Sequence, residues 1–128
     1  MSTAVGIVLW AMVAFELKHF VCDFVLQTSY QYRNKGIYGH AGGLIHAGLH
    51  LLGSIPALLI LTSHPVPIML MLAAEFVIHY HADWAKQQID ERLKLTIDML
   101  PYWIIFGLDQ LVHQLTYVGM IYVVLTFF

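Results

Sequence analysis

Residues 4–27 read "AVGIVLWAMVAFELKHFVCDFVLQ". A hydrocarbon core about 30 Å thick needs roughly 20 apolar residues in helical form. This stretch is long enough only if Glu16, Lys18, His19 and Asp23 enter the membrane with it. Ionisable groups are expensive in lipid and turn toward partners or a polar interior. The stretch therefore reads as a membrane helix with a polar stripe, packed against other helices that bury it.

Three further stretches are long and apolar enough to be those helices. With the first at about 4–26, the spans fall at about 43–62, 66–86 and 99–127, a single all-α domain over 1–128. The composition agrees, at 59% apolar and 11% charged residues. Pro56 inside the second span is tolerated in a membrane helix. "SHPVP" at 63–67 is a tight turn, and Pro101 suits a first helical turn. Residues 28–42 form a polar connector, and 85–98 continue as an amphipathic helix beyond the membrane. Arg33 and Lys35 lie in the first connector, and Lys86, Arg92 and Lys94 at the third. The positive-inside rule then predicts a four-helix polytopic bundle, N-out and C-out, with both long connectors cytoplasmic. The opening "MSTAV" carries no basic residue and makes a poor secretory leader, so the N-terminus is expected to be retained.

Several classes are excluded. A net charge of −2 without a basic run argues against nucleic acid as a partner. The single cysteine, Cys22, permits neither an intrachain disulfide nor a cysteine-based zinc pattern; its plain role is packing.

Each predicted span carries two potential metal ligands four residues apart: His19 and Asp23, His46 and His50, His79 and Asp83, Asp109 and His113. That spacing puts both side chains on one helix face, one turn apart. Glu16 and Gln27 extend the first stripe, Glu75 and Lys86 the third, and Asp98, Tyr102 and Thr116 the fourth. Lys18 and His81 point elsewhere by the same periodicity. Gly39, Gly42, Gly43 and Gly53 lie near the His46/His50 face, where small residues let a neighbour or ligand approach; Gly39, Gly43 and Ala47 also suit helix pairing within the chain or in a homo-oligomer. All four pairs fall at compatible depth, toward the side of the long connectors.

Imidazoles and carboxylates, counting Glu75, form a nitrogen and oxygen donor set suited to zinc, iron or manganese. Eight ligands exceed the needs of one tetrahedral ion, so two divalent ions are expected, as in soluble bundles with inward Glu and His. Two such ions suit hydrolysis of a lipid-linked or phosphate ester. Glu75, Asp83 or Asp109 is then the candidate general base, and Gln27, Lys35 and Lys86 the candidate substrate-binding residues. A lone intramembrane histidine is usually a packing residue, and a snorkelling lysine is the ordinary occupant of a membrane lip. Glu16 and Glu75 also suit roles behind the ligands, fixing histidine tautomers. Four pairs at one depth weigh against packing alone. The competing readings are a proton or divalent-ion transporter or sensor, a di-iron membrane oxidase, a haem bundle and a structural network.

"HFVCDFVLQT", "LIHAGLH", "VIHYHADWAK" and "FGLDQLVHQL" resemble the signature blocks of a bacterial and phage integral membrane family catalogued as domain of unknown function 3307. The resemblance runs from His19 to His113. It singles out His19, Asp23, Gln27, Lys35, His46, His50, His79, Asp83, Lys86, Asp109, Gln110 and His113. It implies a multi-pass protein of a bacterial inner membrane, and it implies no substrate.

Overall fold

The computed structural model describes residues 3–128; the expectation about the start of the chain, at Met1 and Ser2, lies outside the described residues. Five helices follow one another: α1 (Thr3–Phe20), α2 (Ser29–Asn34), α3 (Ala41–Leu61), α4 (Pro65–Leu93) and α5 (Leu100–Phe127). Among the described residues there is no strand. The spans Thr3–Val25, Ala41–Leu61, Pro65–Leu93 and Leu100–Phe127 are long and apolar enough to cross a membrane. The all-α bundle of four spans is therefore what the sequence leads one to expect.

The distribution of side chains is inside-out relative to a water-soluble bundle. Leu9, Trp10, Leu52, Met69, Leu70 and Leu125 are exposed, while Lys18, His46, His50, Glu75, His79 and Asp83 are buried. In water such an exterior would be one large apolar patch, far beyond what soluble monomers expose. In lipid it is the matching surface, and the polar residues gather inside.

Two layers fill the interior. Ala11, Phe15, Ala57, Leu58, Tyr117 and Val124 belong to an apolar core. Phe15 stacks on Tyr117 with ring centroids 4.9 Å apart and planes 4° from parallel. The polar layer begins at the Tyr117 hydroxyl, which meets Nδ1 of His19 at 2.9 Å.

Three local features differ from the sequence expectation. The first span does not remain α-helical: Val21–Val25 form a π-helical turn, closed by the Leu26 N–H donating to the Val21 carbonyl at 2.9 Å. Such single wide turns recur at functional sites, and this one carries Asp23. The connector 28–42 contains α2, whose start is fixed by a capping box between Thr28 and Gln31. The expected extension of the third span runs without a break as α4 to Leu93 and stops where Lys94 turns left-handed at φ 51°.

Gly42 and Gly43 set how closely the connector approaches α3. A Cβ on Gly42 would stand 2.8 Å from the Asn34 Cβ and 2.9 Å from the Tyr30 carbonyl oxygen. One on Gly43 would lie 3.2 Å from the Tyr80 ring and 3.3 Å from the Lys35 Cα. Gly43 and the buried Ala47 are thus used inside the bundle, whereas Gly39 faces open space. This close approach brings Lys35 over the polar layer.

Candidate metal centre

The four sequence pairs converge. Oδ1 of Asp23 lies 3.0 Å from Nε2 of His50 and 3.1 Å from Nε2 of His46. Oδ2 of Asp83 lies 3.3 Å from Nε2 of His46 and 3.5 Å from Nε2 of His79. Nε2 of His113 is 3.5 Å from Oδ1 of Asp83 and 3.4 Å from Oδ1 of Asp109. The imidazoles pack ring against ring, with centroids 3.9 Å apart for His50 and His79 and 4.1 Å for His79 and His113.

Two overlapping groups bring one ligand atom per residue within 4.8 Å of one another: Asp23, His46, His50 and His79, and then His79, Asp83 and His113. Asp83 joins the two groups, because its oxygens approach both His46 and His113. Two ligands on a tetrahedral ion with bonds of about 2.0–2.1 Å stand about 3.3–3.4 Å apart; the His–Asp pairs here span 3.0 to 3.5 Å, and Asp23 with His50, at the short end, is hydrogen-bonded. Hydrogen bonding alone leaves the cluster incomplete. Both ring nitrogens of His46 and of His79, Nε2 of His113 and Oδ1 of Asp109 are buried without a hydrogen-bond partner. Buried polar atoms are rarely left so. Charge points the same way: of the two lysines on the chamber beside Asp23, Asp83 and Asp109, Lys35 pairs with Asp83 and Lys86 is paired with Asp90. The carboxylates thus outnumber the lysines paired with them, an acidic excess that a divalent ion would offset. The donor set fits zinc, iron or manganese.

His19 and Asp109 stand at the edge of the cluster, outside the two groups. Nε2 of His19 lies 2.9 Å from Oε1 of Gln110 and 3.0 Å from Oδ2 of Asp23, and its Nδ1 meets Tyr117. Asp109 receives a hydrogen bond from Gln110 at 3.3 Å.

Glu75 and Lys18 depart most from the periodicity reading. Lys18 does not point elsewhere: it is buried, its ammonium pairs with Oε1 of Glu75, and its Nζ lies 3.3 Å from Nδ1 of His50. A lysine stem is long enough to carry its charge off the helix face that bears its Cα. Glu75 is thereby committed behind His50. On α5 the inward face continues from Asp109 and His113 to Tyr117, whereas Thr116 bonds its own helix at the Val112 carbonyl and Asp98 is exposed. Tyr117 follows His113 by four positions, the same spacing that revealed the pairs. His81 faces outward and meets the Tyr38 hydroxyl at 3.1 Å.

A chamber of about 160 Å³ opens beside the cluster, lined by Asp23, Gln27, Lys35, Lys86, Asp109 and Gln110 among others. Gln27 donates to the Asp23 carbonyl at 3.1 Å. Lys35 reaches Oδ2 of Asp83 at 3.4 Å. Lys86 pairs with Asp90 at 2.8 Å and lies 5.0 Å from the centre of the Tyr102 ring. The three candidate substrate-binding residues therefore share one wall system with two carboxylates.

Comparison with curated proteins and with solved structures returns no match. Residues 11–128 match the family model described as "Protein of unknown function (DUF3307)", a span that takes in every residue of the cluster and the chamber, and the chain belongs to that family.

Proposed function

We propose that the chain is a membrane-embedded metalloenzyme that hydrolyses a phosphate ester, with one or two divalent ions held by Asp23, His46, His50, His79, Asp83 and His113. The observation that carries the reading is the convergence of buried imidazole Nε2 atoms on two carboxylates, with several of those nitrogens lacking any hydrogen bond. A bound ion would supply Lewis acidity, polarising a phosphoryl oxygen and acidifying a water. Lys35 and Lys86 neutralise the phosphate as point charges, and Gln27 and Gln110 orient it by hydrogen bonds. Asp109 takes the proton from the attacking water, because it borders the chamber and its Oδ1, 3.4 Å from Nε2 of His113, accepts no hydrogen bond. The new P–O bond forms as the ester P–O bond breaks, and the leaving alkoxide departs as the alcohol with the proton that Asp109 took from the water. Glu75 is assigned a supporting role through Lys18 and His50, and Asp83 joins the ligand groups.

The apolar layer of Ala11, Leu58 and Val124 supports a closed site over a translocation path. On the positive-inside argument, the chamber faces the cytoplasm of a bacterial inner membrane. Labelling of a cysteine placed at Phe128 from the outer side only is the expected topology result.

Metal analysis of detergent-purified protein tests the reading, coupled to phosphate release from a panel of alkyl phosphates. The expected result is bound zinc, iron or manganese with metal-dependent release. Metal-loaded protein that releases nothing from the panel would sink the hydrolase; protein purified without metal, and unable to take it up, would sink the centre.

A further inference from the structure

Two more cavities lie along the seam between α4 and α5, and they are not independent of the chamber. A cavity of about 180 Å³, lined by Ala85, Ile105 and Leu108, shares Lys86 and Asp109 with the chamber. It shares Val112 with a groove of about 490 Å³ that continues past Met71, Ala74, Gly119 and Val123. From Asp109 to Val123 is 14 residues of α5, about 21 Å at 1.5 Å per residue. Half of a hydrocarbon core is about 15 Å, so the track exceeds the depth of one leaflet.

The order of chemistry along the track is that of a lipid. Two lysines, two glutamines and the carboxylates of Asp23 and Asp109, whose charge a bound divalent ion would offset, stand at one end, beside the connector, and apolar side chains follow. An anionic head and a hydrocarbon tail match it end for end. We infer that the substrate is a membrane lipid with a phosphate head, which enters sideways between α4 and α5, its tail along Val112 and Gly119 and its phosphate between Lys35 and Lys86. The inference rests on the phosphate-ester reading of the site and narrows it from phosphate esters in general to lipids. Gly119 has a part in it. A Cβ there meets nothing within 4 Å, so glycine is not required for packing within the bundle. Its smoothness leaves the groove open.

The test uses full-length protein in phosphatidylcholine nanodiscs, with radiolabelled dodecyl phosphate as the probe and inorganic phosphate as the tailless control. Lipid concentration is held fixed, so that partitioning into the bilayer is common to all variants. Gly119→Phe should weaken dodecyl phosphate binding about tenfold or more, with metal content and inorganic phosphate binding unchanged. Ala74→Phe, which fills the groove from the other helix, should do the same. Lys86→Ala should weaken both probes. Wild-type affinity for dodecyl phosphate in both groove variants would overturn the inference, as would a change of oligomeric state in place of a loss of binding, which would assign the groove to a second copy of the chain. Because metal content and turnover are read separately, tail-dependent binding without hydrolysis would retain the lipid site and remove the hydrolase. Hydrolysis indifferent to groove filling would do the reverse.

Discussion

Nζ of Lys35 stands 3.4 Å from Oδ2 of Asp83, the oxygen that also faces His46 at 3.3 Å and His79 at 3.5 Å. One carboxylate oxygen thus meets a cation from the connector and two imidazoles from the bundle. A lysine ammonium is a point charge, and here it offsets part of the acidic excess of the cluster. Replacing it separates neutralisation from substrate binding. Lys35→Met should leave metal content at or above the wild-type level and lower the affinity for phosphate about tenfold. Metal analysis and phosphate binding on the same preparation check this, and loss of metal in the variant would contradict it.

The Lys18–Glu75 pair gives a second outcome. Both side chains are buried, and Lys18 also approaches the His50 carbonyl oxygen at 3.4 Å. Removing one member of a buried pair leaves an uncompensated charge and typically costs about 3–5 kcal/mol, whereas replacing both is often close to neutral. Lys18→Met alone should therefore unfold at markedly lower denaturant or temperature. The double variant Lys18→Met with Glu75→Leu should regain most of the loss. If the double variant is no more stable than the single one, the pair is not an isolated supporting unit.

Much of this arrangement was legible from spacing alone. The i, i+4 pairs identified the inward face of each span, since helical periodicity fixes where a Cβ points. Lipid outside and expensive ions inside then leave one way to assemble the faces. Spacing failed where a side chain is long or the backbone departs from the α-helix. Lys18 lies off the stripe at its Cα, yet its stem reaches Glu75 and His50. The π turn at Val21–Val25 has no signature in "VCDFV", and Asp23 meets α3 from that wide turn. Tyr117 could have been found, because it continues the His113 spacing by one more turn. The chamber could not: its walls come from the π turn, the connector with α2, α4 and α5, and only the assembled chain sets them together.

Glycine positions in α3 and α5 make a controlled series for packing. At Gly42 an added methyl would meet the Asn34 side chain and the Tyr30 backbone oxygen below 3.0 Å. Backbone gives way poorly, so Gly42→Ala should destabilise by about 1–3 kcal/mol. At Gly48 and Gly107 a Cβ meets nothing within 4 Å. There the higher helix propensity of alanine should stabilise by up to about 1 kcal/mol. Unfolding of the three alanine variants in one detergent checks the order, which fails if Gly42→Ala is the most stable of them.

The ligands themselves give the sharpest contrast between a metal centre and a hydrogen-bonded packing network. His46 is fully buried; its Nε2 lies 3.1 Å from Oδ1 of Asp23 and 3.3 Å from Oδ2 of Asp83 without hydrogen-bond alignment, and its Nδ1 has no partner, so packing alone satisfies the ring poorly, whereas a ligand role would use Nε2. An ion present at a hundred times its dissociation constant adds about 2.7 kcal/mol to stability. Chelation of metal-loaded wild type should therefore lower its melting midpoint by several degrees, because Asp23, Asp83 and Asp109 are then left facing one another with too little positive charge. His46→Ala should hold less metal and melt lower before chelation, and the chelator should move it less than it moves wild type. Asp83→Asn keeps the shape of the side chain and removes the charge, so its metal content should fall further than its fold signal. A packing network gives the opposite pattern: every ligand variant loses stability, and the chelator moves none of the curves. Melting curves with and without chelator for wild type, His46→Ala and Asp83→Asn, each with its metal content measured beforehand, decide between the two.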